Sequence, residues 1–406
     1  MSELHRSGPP VRHLSRRAVL RGMAGAAGAA ALYACSGVSA SPSPTSAPTT
    51  APATPAGSAG SAPPSAGATA TATATATPEP TPVPSPEGAL NVYNWADYIG
   101  EHTIQKFEDK YGITVQYDFF DNIDTMLAKI STGNSGYDVT FPTSINVPGL
   151  KARNLIQPLD LGLVPNLVNL ADEWKNPAYD PGNANSVPYM WWTTGVAYDS
   201  KKVDGTPDSW DTLWDPKYSG KMAMLDDYRE CFSAALFRLG FDINTTDEGQ
   251  LDQALAMLQQ QKPLLRTYTT DDIGVLSSGD AWIMHAWGGD VYQVTPERKS
   301  VKYYLPKEGA VRGSDTMVLL AGAQHPIAAQ LFMNFMLDAQ IAADNTNLIG
   351  YMGPNEAAKQ FIDPTILKDP TVNPSQAVVA TLQEIQDLGD DEKKYQDRWT
   401  TLRAGA

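Results

Sequence analysis

From residue 89 onward, short apolar or alternating runs give way repeatedly to segments whose apolar positions lie three and four apart. Ala89-Leu90-Asn91-Val92-Tyr93 reads as a strand, and Thr103–Tyr111 has helical spacing closed by Gly112. Thr114–Phe119 alternates again as a strand. The spacing then predicts a helix over Asp124–Ile130, capped by Asp121, and a short strand over Asp138–Phe141. The unit recurs as Lys221–Leu225 followed by Tyr228–Leu239, and as Ala281–Ala286 followed by Val291–Arg298. Strands alternating with helices predict an α/β fold with mainly parallel, doubly wound sheets. Residues 89–406, about 318 in number, exceed what one hydrophobic core usually spans, so two lobes are expected.

In such sheets ligands bind beyond the carboxyl ends of the strands. The distinctive segments fall there: Asn94–Tyr98, Pro142–Asn146, Asp226–Glu230 and Trp287–Asp290. Trp95, Asp97 and Tyr98 set a carboxylate between two large aromatics, and Trp287-Gly288-Gly289-Asp290 repeats the pairing. Aromatic faces attract organic cations and a carboxylate supplies the counter-charge, so the pattern points to an amine ligand. The alternative is a core role for each Trp and a capping role for each Asp. Asp227 with Glu230 is also a capping box, and Asp290 is placed to cap Val291–Arg298. His285, inside an apolar strand, is expected to be a satisfied core residue, and Cys231 a small core residue in a helix.

No nucleophile-elbow, zincin, phosphate-loop or dinucleotide-binding motif is present, so an enzyme is not expected. Paired carboxylates alone would suit a glycosidase, but nothing else supports that chemistry. The three histidines beyond residue 35, His102, His285 and His325, lack metal-ligand spacing, and no cofactor is expected.

The first 88 residues read as an address and a tether. Arg16-Arg17 precede a small-residue apolar run, Ala18–Ala34, too short to span a membrane; this is a twin-arginine signal peptide. Leu32-Tyr33-Ala34-Cys35 is similar to a bacterial lipobox, which makes residues 1–35 a lipoprotein signal with Cys35 lipidated, although Tyr33 is bulkier than usual there. The alternative is a soluble export signal. Residues 36–88 are Ser, Thr, Ala, Pro and Gly apart from Val38 and Val83, with only Glu79 and Glu87 charged, a composition that cannot fold. If flexible, this linker reaches on the order of 40 Å. With Cys231 the only other cysteine, no disulfide framework is expected. Removing residues 1–35 takes away five Arg and one Glu, so the net charge moves from −15 to about −19. Such a charge repels nucleic acid and steers cations inward.

Residues 89–406 resemble the spermidine- and putrescine-binding proteins of bacterial ABC transporters. The segments that carry the resemblance run in order from Tyr93-Asn94-Trp95-Ala96-Asp97-Tyr98 through Tyr137-Asp138-Val139, Pro188-Tyr189-Met190-Trp191 and Asp226-Asp227-Tyr228-Arg229-Glu230. Trp287-Gly288-Gly289-Asp290-Val291, Pro306-Lys307-Glu308-Gly309 and Ile349-Gly350-Tyr351 complete it. The resemblance implies a two-lobe periplasmic-binding-protein fold with the ligand in a cleft. Lobe 1 would comprise 89–196 with about 314–360 returning, and lobe 2 197–313 with about 361–406 returning. It implies an aromatic box of Trp95, Tyr98, Trp287 and Tyr351, and amine-binding carboxylates Asp97, Glu230, Asp290 and Asp315, with Asp227 a further candidate. Thr143 and Thr269 match cleft positions that are often serine. Asp290 resembles the putrescine-binding branch, and Asp227 with Glu230 the spermidine-binding branch.

Three positions depart from the family. Gly313 stands where relatives commonly have an aromatic, Ile145 replaces an aromatic, and Thr400 stands where Gln occurs. A missing wall at Gly313 is expected to enlarge the cleft or to admit Arg312. The expected function is capture of a polyamine by lobe closure and delivery to a membrane permease, by a lipid-anchored monomer on the extracytoplasmic face. The alternatives are a binding protein for another small solute, or a tethered sensor.

Overall fold

The computed structural model describes residues 87–405, which belong to one compact unit, Pro78–Ala406. Cys35 and the segment 36–86 lie outside the described residues. Among the described residues nine strands make one sheet: β1 Ala89–Trp95, β2 Thr114–Phe120, β3 Val139–Thr140, β4 Ser186–Asp199, β5 Met222–Leu225, β6 Leu265–Thr269, β7 Ile283–Trp287, β8 Val301–Tyr304 and β9 Val311–Leu319. Their order is β2-β1-β3-β9-β4-β7-β5-β6, with β8 also paired to β4.

The parallel pairings form the body of each lobe: β1 with β2 and β3, and β5 with β6 and β7. Helices cover both faces, as the alternation of side chains shows. In β9, Met317 and Leu319 enter one core with Leu90, Val92 and Phe332, while Val318 enters another with Tyr93, Phe120 and Met126. In the other lobe, Met222 and Met224 pack with Phe232 and Ile283, and Ala223 packs with Met284 and Val291. Each face is thus buried on its own period-two set.

β4 joins the lobes. Ser186–Thr194 pair antiparallel with β9, whereas Thr194–Tyr198 pair with β7 and Val196–Asp199 with β8. β9 in turn reaches β3 at Thr140 and Val139. Later in the chain, Ile362, Ile366 and Val372 pack in the core of Leu90, and Tyr395 and Leu402 in the core of Trp210. Packing therefore changes cores after Val379 rather than near residue 361.

Local signals located the helices closely. Tyr228–Leu239 forms where expected, ending at Gly240 with φ 74°, and Gly112 closes Thr103–Tyr111 at φ 67°. The cap of Ile123–Ile130 is Asn122, not Asp121: its side-chain oxygen accepts from the amides of Asp124 and Thr125. The helix expected over Val291–Arg298 instead spans Gly288–Val294, starting directly after β7.

Candidate ligand-binding site

The ends of β1, β7 and β5 carry the expected residues. Trp95 closes β1, donates its indole N–H to the Phe141 carbonyl at 2.8 Å and packs on Phe120. Asp97 follows in an exposed left-handed turn, φ 55°, a conformation Asp tolerates better than most residues. Tyr98 is buried, edge-on to both Tyr189 and Tyr351, and its carbonyl accepts from the Tyr189 hydroxyl.

Asp315 lies on β9 with 4% of its surface exposed. Thr143 donates its hydroxyl to Asp315 Oδ1 at 3.2 Å. Burial raises the Asp315 carboxyl to about 7, against the opposing effect of Tyr98, Thr143 and Trp95. Glu230, in the first turn of Tyr228–Leu239, is 5% exposed. Its Oε1 accepts from Thr194 at 2.9 Å, while Oε2 has no hydrogen-bond partner. Burial, followed by repulsion from Asp227, raises it to about 8. Half of the predicted capping box exists: Asp227 caps the helix by accepting from the Glu230 amide at 3.0 Å, but the Glu230 carboxyl turns to Thr194 instead of back to the cap. Burial also raises Asp227.

Asp290 is not an N-cap. It sits inside Gly288–Val294 and accepts the Tyr351 hydroxyl at 2.6 Å. Tyr351 approaches so closely that a Cβ on Gly289 would lie 2.2 Å from its ring. Trp287 ends β7 half-buried, with its indole N–H unpartnered on the Glu230 side. Thr269 ends β6 beside Leu225, and its hydroxyl accepts from the Asp271 amide in the following turn. Cys231 is buried as expected, its thiol donating to the Leu225 carbonyl. His285 is buried but not satisfied: neither ring nitrogen has a hydrogen-bond partner. Burial lowers its pKa to about 3, so it is neutral, and its Nε2 lies 4.0 Å from Glu230 Oε2.

Two expected consequences of the departures do not occur. Arg312 does not enter the site; it lies between the rings of Trp174 and Trp191 and pairs with Glu173 at 3.2 Å. Gly313 does not leave a void, because the Trp192 indole covers it. Ile145 is half-buried at the start of Asn146–Ala152, and Thr400 is exposed, bonded back to the Gln396 carbonyl of its own helix.

Residues 102–374 match the family described as bacterial extracellular solute-binding protein. The chain belongs to that family. It is 33% identical over 329 residues to the putrescine/cadaverine-binding protein of Pseudomonas aeruginosa, an alignment that covers 77% of this chain and 93% of that protein. It is 30% identical to the spermidine/putrescine-binding periplasmic protein of Salmonella typhimurium, over 78% of this chain and 92% of that one. The spermidine/putrescine transporter substrate-binding protein of Streptococcus pneumoniae superposes with a TM-score of 0.69 at 29% identity, covering 79% of this chain and 99% of that one.

Sequence reasoning missed three residues of this solute-binding protein that pack on the predicted site positions. Thr194 holds Glu230, Trp192 covers Gly313, and Asp272 is buried beside Asp290. Burial, followed by the neighbouring Asp290, pushes the Asp272 carboxyl well above the usual carboxylate range. One signal was available for Thr194: Thr193-Thr194 interrupts an otherwise apolar run within β4.

Proposed function

We propose that this solute-binding protein captures a polyamine between its lobes and delivers it to an ABC permease. One observation carries the reading. Asp315 and Glu230 are buried at opposite sides of the β4 crossover, and among the described residues neither pairs with Lys or Arg. Buried carboxyls held at about 7 and about 8 lack a cation, and a ligand carrying several ammoniums supplies it. Aromatic rings beside them, Trp95, Tyr98, Trp287 and Tyr351, suit the methylenes and the charge of such a ligand. The relatives' names, putrescine/cadaverine-binding and spermidine/putrescine-binding, support the same class.

Asp97, Asp227, Glu230, Asp290 and Asp315 outnumber the charges of a diamine, which favours spermidine over putrescine. Thr143 and Thr269 complete the polar lining. Closing the lobes about β4 and β9 excludes water, and each charge-assisted hydrogen bond then contributes about 1.5–3 kcal/mol. The protein acts as a monomer held to the extracytoplasmic face by lipidated Cys35, with residues 36–88 as the tether.

The test is a thermal-shift and calorimetric panel of putrescine, cadaverine, spermidine and agmatine, with neutral sugars and amino acids as controls. Saturating amine at a hundredfold excess over Kd raises stability by about 2.7 kcal/mol. A shift with sugars and none with amines overturns the reading.

A further inference from the structure

We infer that Trp192 is the aromatic wall of the ligand site, set between its two buried carboxyls, and that Gly313 exists to receive its ring. The inference rests on the polyamine reading and adds a residue that decides what lies between the charged ends. β4 is fourteen residues long, and every one is buried except Trp192, which is half-buried. Trp192 packs against the core of Leu90 and Met190 yet is the one side chain of β4 that keeps appreciable exposed surface, just before the strand passes from β9 to β7.

The register fixes its neighbours. Met190 stands opposite Asp315, and Trp192 opposite Gly313. Thr194, two residues further on, donates to Glu230. Side chains two apart share a face, and cross-strand partners point the same way, so Asp315, Trp192 and the Thr194–Glu230 pair lie along one line. Each step of two residues advances about 7 Å, which puts the indole midway between the acids.

The contact with Gly313 is specific. A Cβ at residue 313 would lie 2.4 Å from Trp192 Cζ2 and 2.5 Å from Cε2. The ring therefore lies directly on the glycine, and any side chain there displaces it. Trp192 Nε1 is buried and makes no hydrogen bond, so packing on Gly313, not a polar contact, sets the ring's position. From there its face receives the methylenes or a middle ammonium of a ligand whose ends reach Asp315 and Glu230.

The test uses the panel's best amine and a double-mutant cycle read by calorimetry, with circular dichroism and melting temperature reporting the fold. Trp192→Leu keeps apolar bulk and is expected to weaken binding tenfold or more. Trp192→Phe keeps a π face and is expected to lose less than threefold. Gly313→Ala weakens binding in the wild-type background and has no further effect beside Trp192→Leu. Unchanged affinity in folded Trp192→Leu, or additive effects of the two substitutions, overturns the inference. Wild-type protein that binds none of the amines overturns the polyamine reading itself, before any variant is compared.

Discussion

The Tyr351 hydroxyl donates to Asp290 Oδ1 at 2.6 Å, and the same tyrosine's ring fills the space that a side chain on Gly289 would need. The two residues are 61 apart in sequence, so the contact fastens the start of Gly288–Val294 to the turn that follows Ala339–Ile349. Gly289→Ala forces the ring aside and is expected to cost about 2 kcal/mol of stability, as overpacked sites do. Most of that cost disappears beside Tyr351→Ala, and urea unfolding of the two singles and the double checks it. Tyr351→Phe keeps the ring but removes the donor that orients Asp290, and amine affinity is expected to fall about tenfold.

Asp315→Asn removes a buried carboxyl that accepts from Thr143 and lies beside Tyr98 and Trp95. Polyamine affinity is expected to fall about a hundredfold or more, because truncating one side of a buried charge pair costs about 2–5 kcal/mol. The ligand-free variant melts no lower than wild type at pH 8, since a buried ionised acid has been deleted. Calorimetry and a melting curve give both numbers, and wild-type affinity in the variant removes Asp315 from the site. Asp97→Asn has a smaller effect, because Asp97 is exposed.

The pH dependence follows from two raised carboxyls, Asp315 at about 7 and Glu230 at about 8. Both hold protons more tightly in the fold than in the unfolded chain, whose carboxyls titrate near ~4. Their contribution to stability is therefore fully present below about pH 4 and is lost as the pH rises through about 7 and about 8. A polyamine favours the ionised forms, so binding expels these protons. Affinity is expected to weaken on acidification below pH 7, by up to about one decade per carboxyl per pH unit. Thr194→Val deletes the hydrogen bond to Glu230, raises that carboxyl further, and shifts the affinity profile to higher pH. Titrations from pH 5.5 to 8.5 decide it; a flat profile contradicts the assignment of these acids.

Cys35→Ser is expected to release the protein from the membrane fraction while leaving it outside the cytoplasm, and Arg16→Lys with Arg17→Lys to stop its export. Fractionation and immunoblotting check both. A Cys35→Ser protein still wholly membrane-bound shows that no lipid at this position holds it.

The strand–helix order, the glycine stops at Gly112 and Gly240, and the placing of Trp95, Asp227 and Trp287 at strand or helix ends were all legible in the chain. Local periodicity and capping chemistry encode such features within a few residues. The same local reading failed where a neighbour competed. Asp121 was displaced as cap by Asn122, and Asp290 was drawn from a capping role by a tyrosine far along the chain.

By itself, then, the sequence determined the α/β alternation and which residue types stand at the strand ends. Only the tertiary structure decided which carboxyls are buried, that Thr143 meets Asp315, that Thr194 takes Glu230, and that Arg312 is held between Trp174 and Trp191. Only the register of β4 on β9 lays Trp192 over Gly313, where the chain alone suggested a gap. The physical reason is range. Backbone preference is set by adjacent residues, whereas burial, proton affinity and ring contact depend on side chains that the sheet brings together from distant parts of the chain.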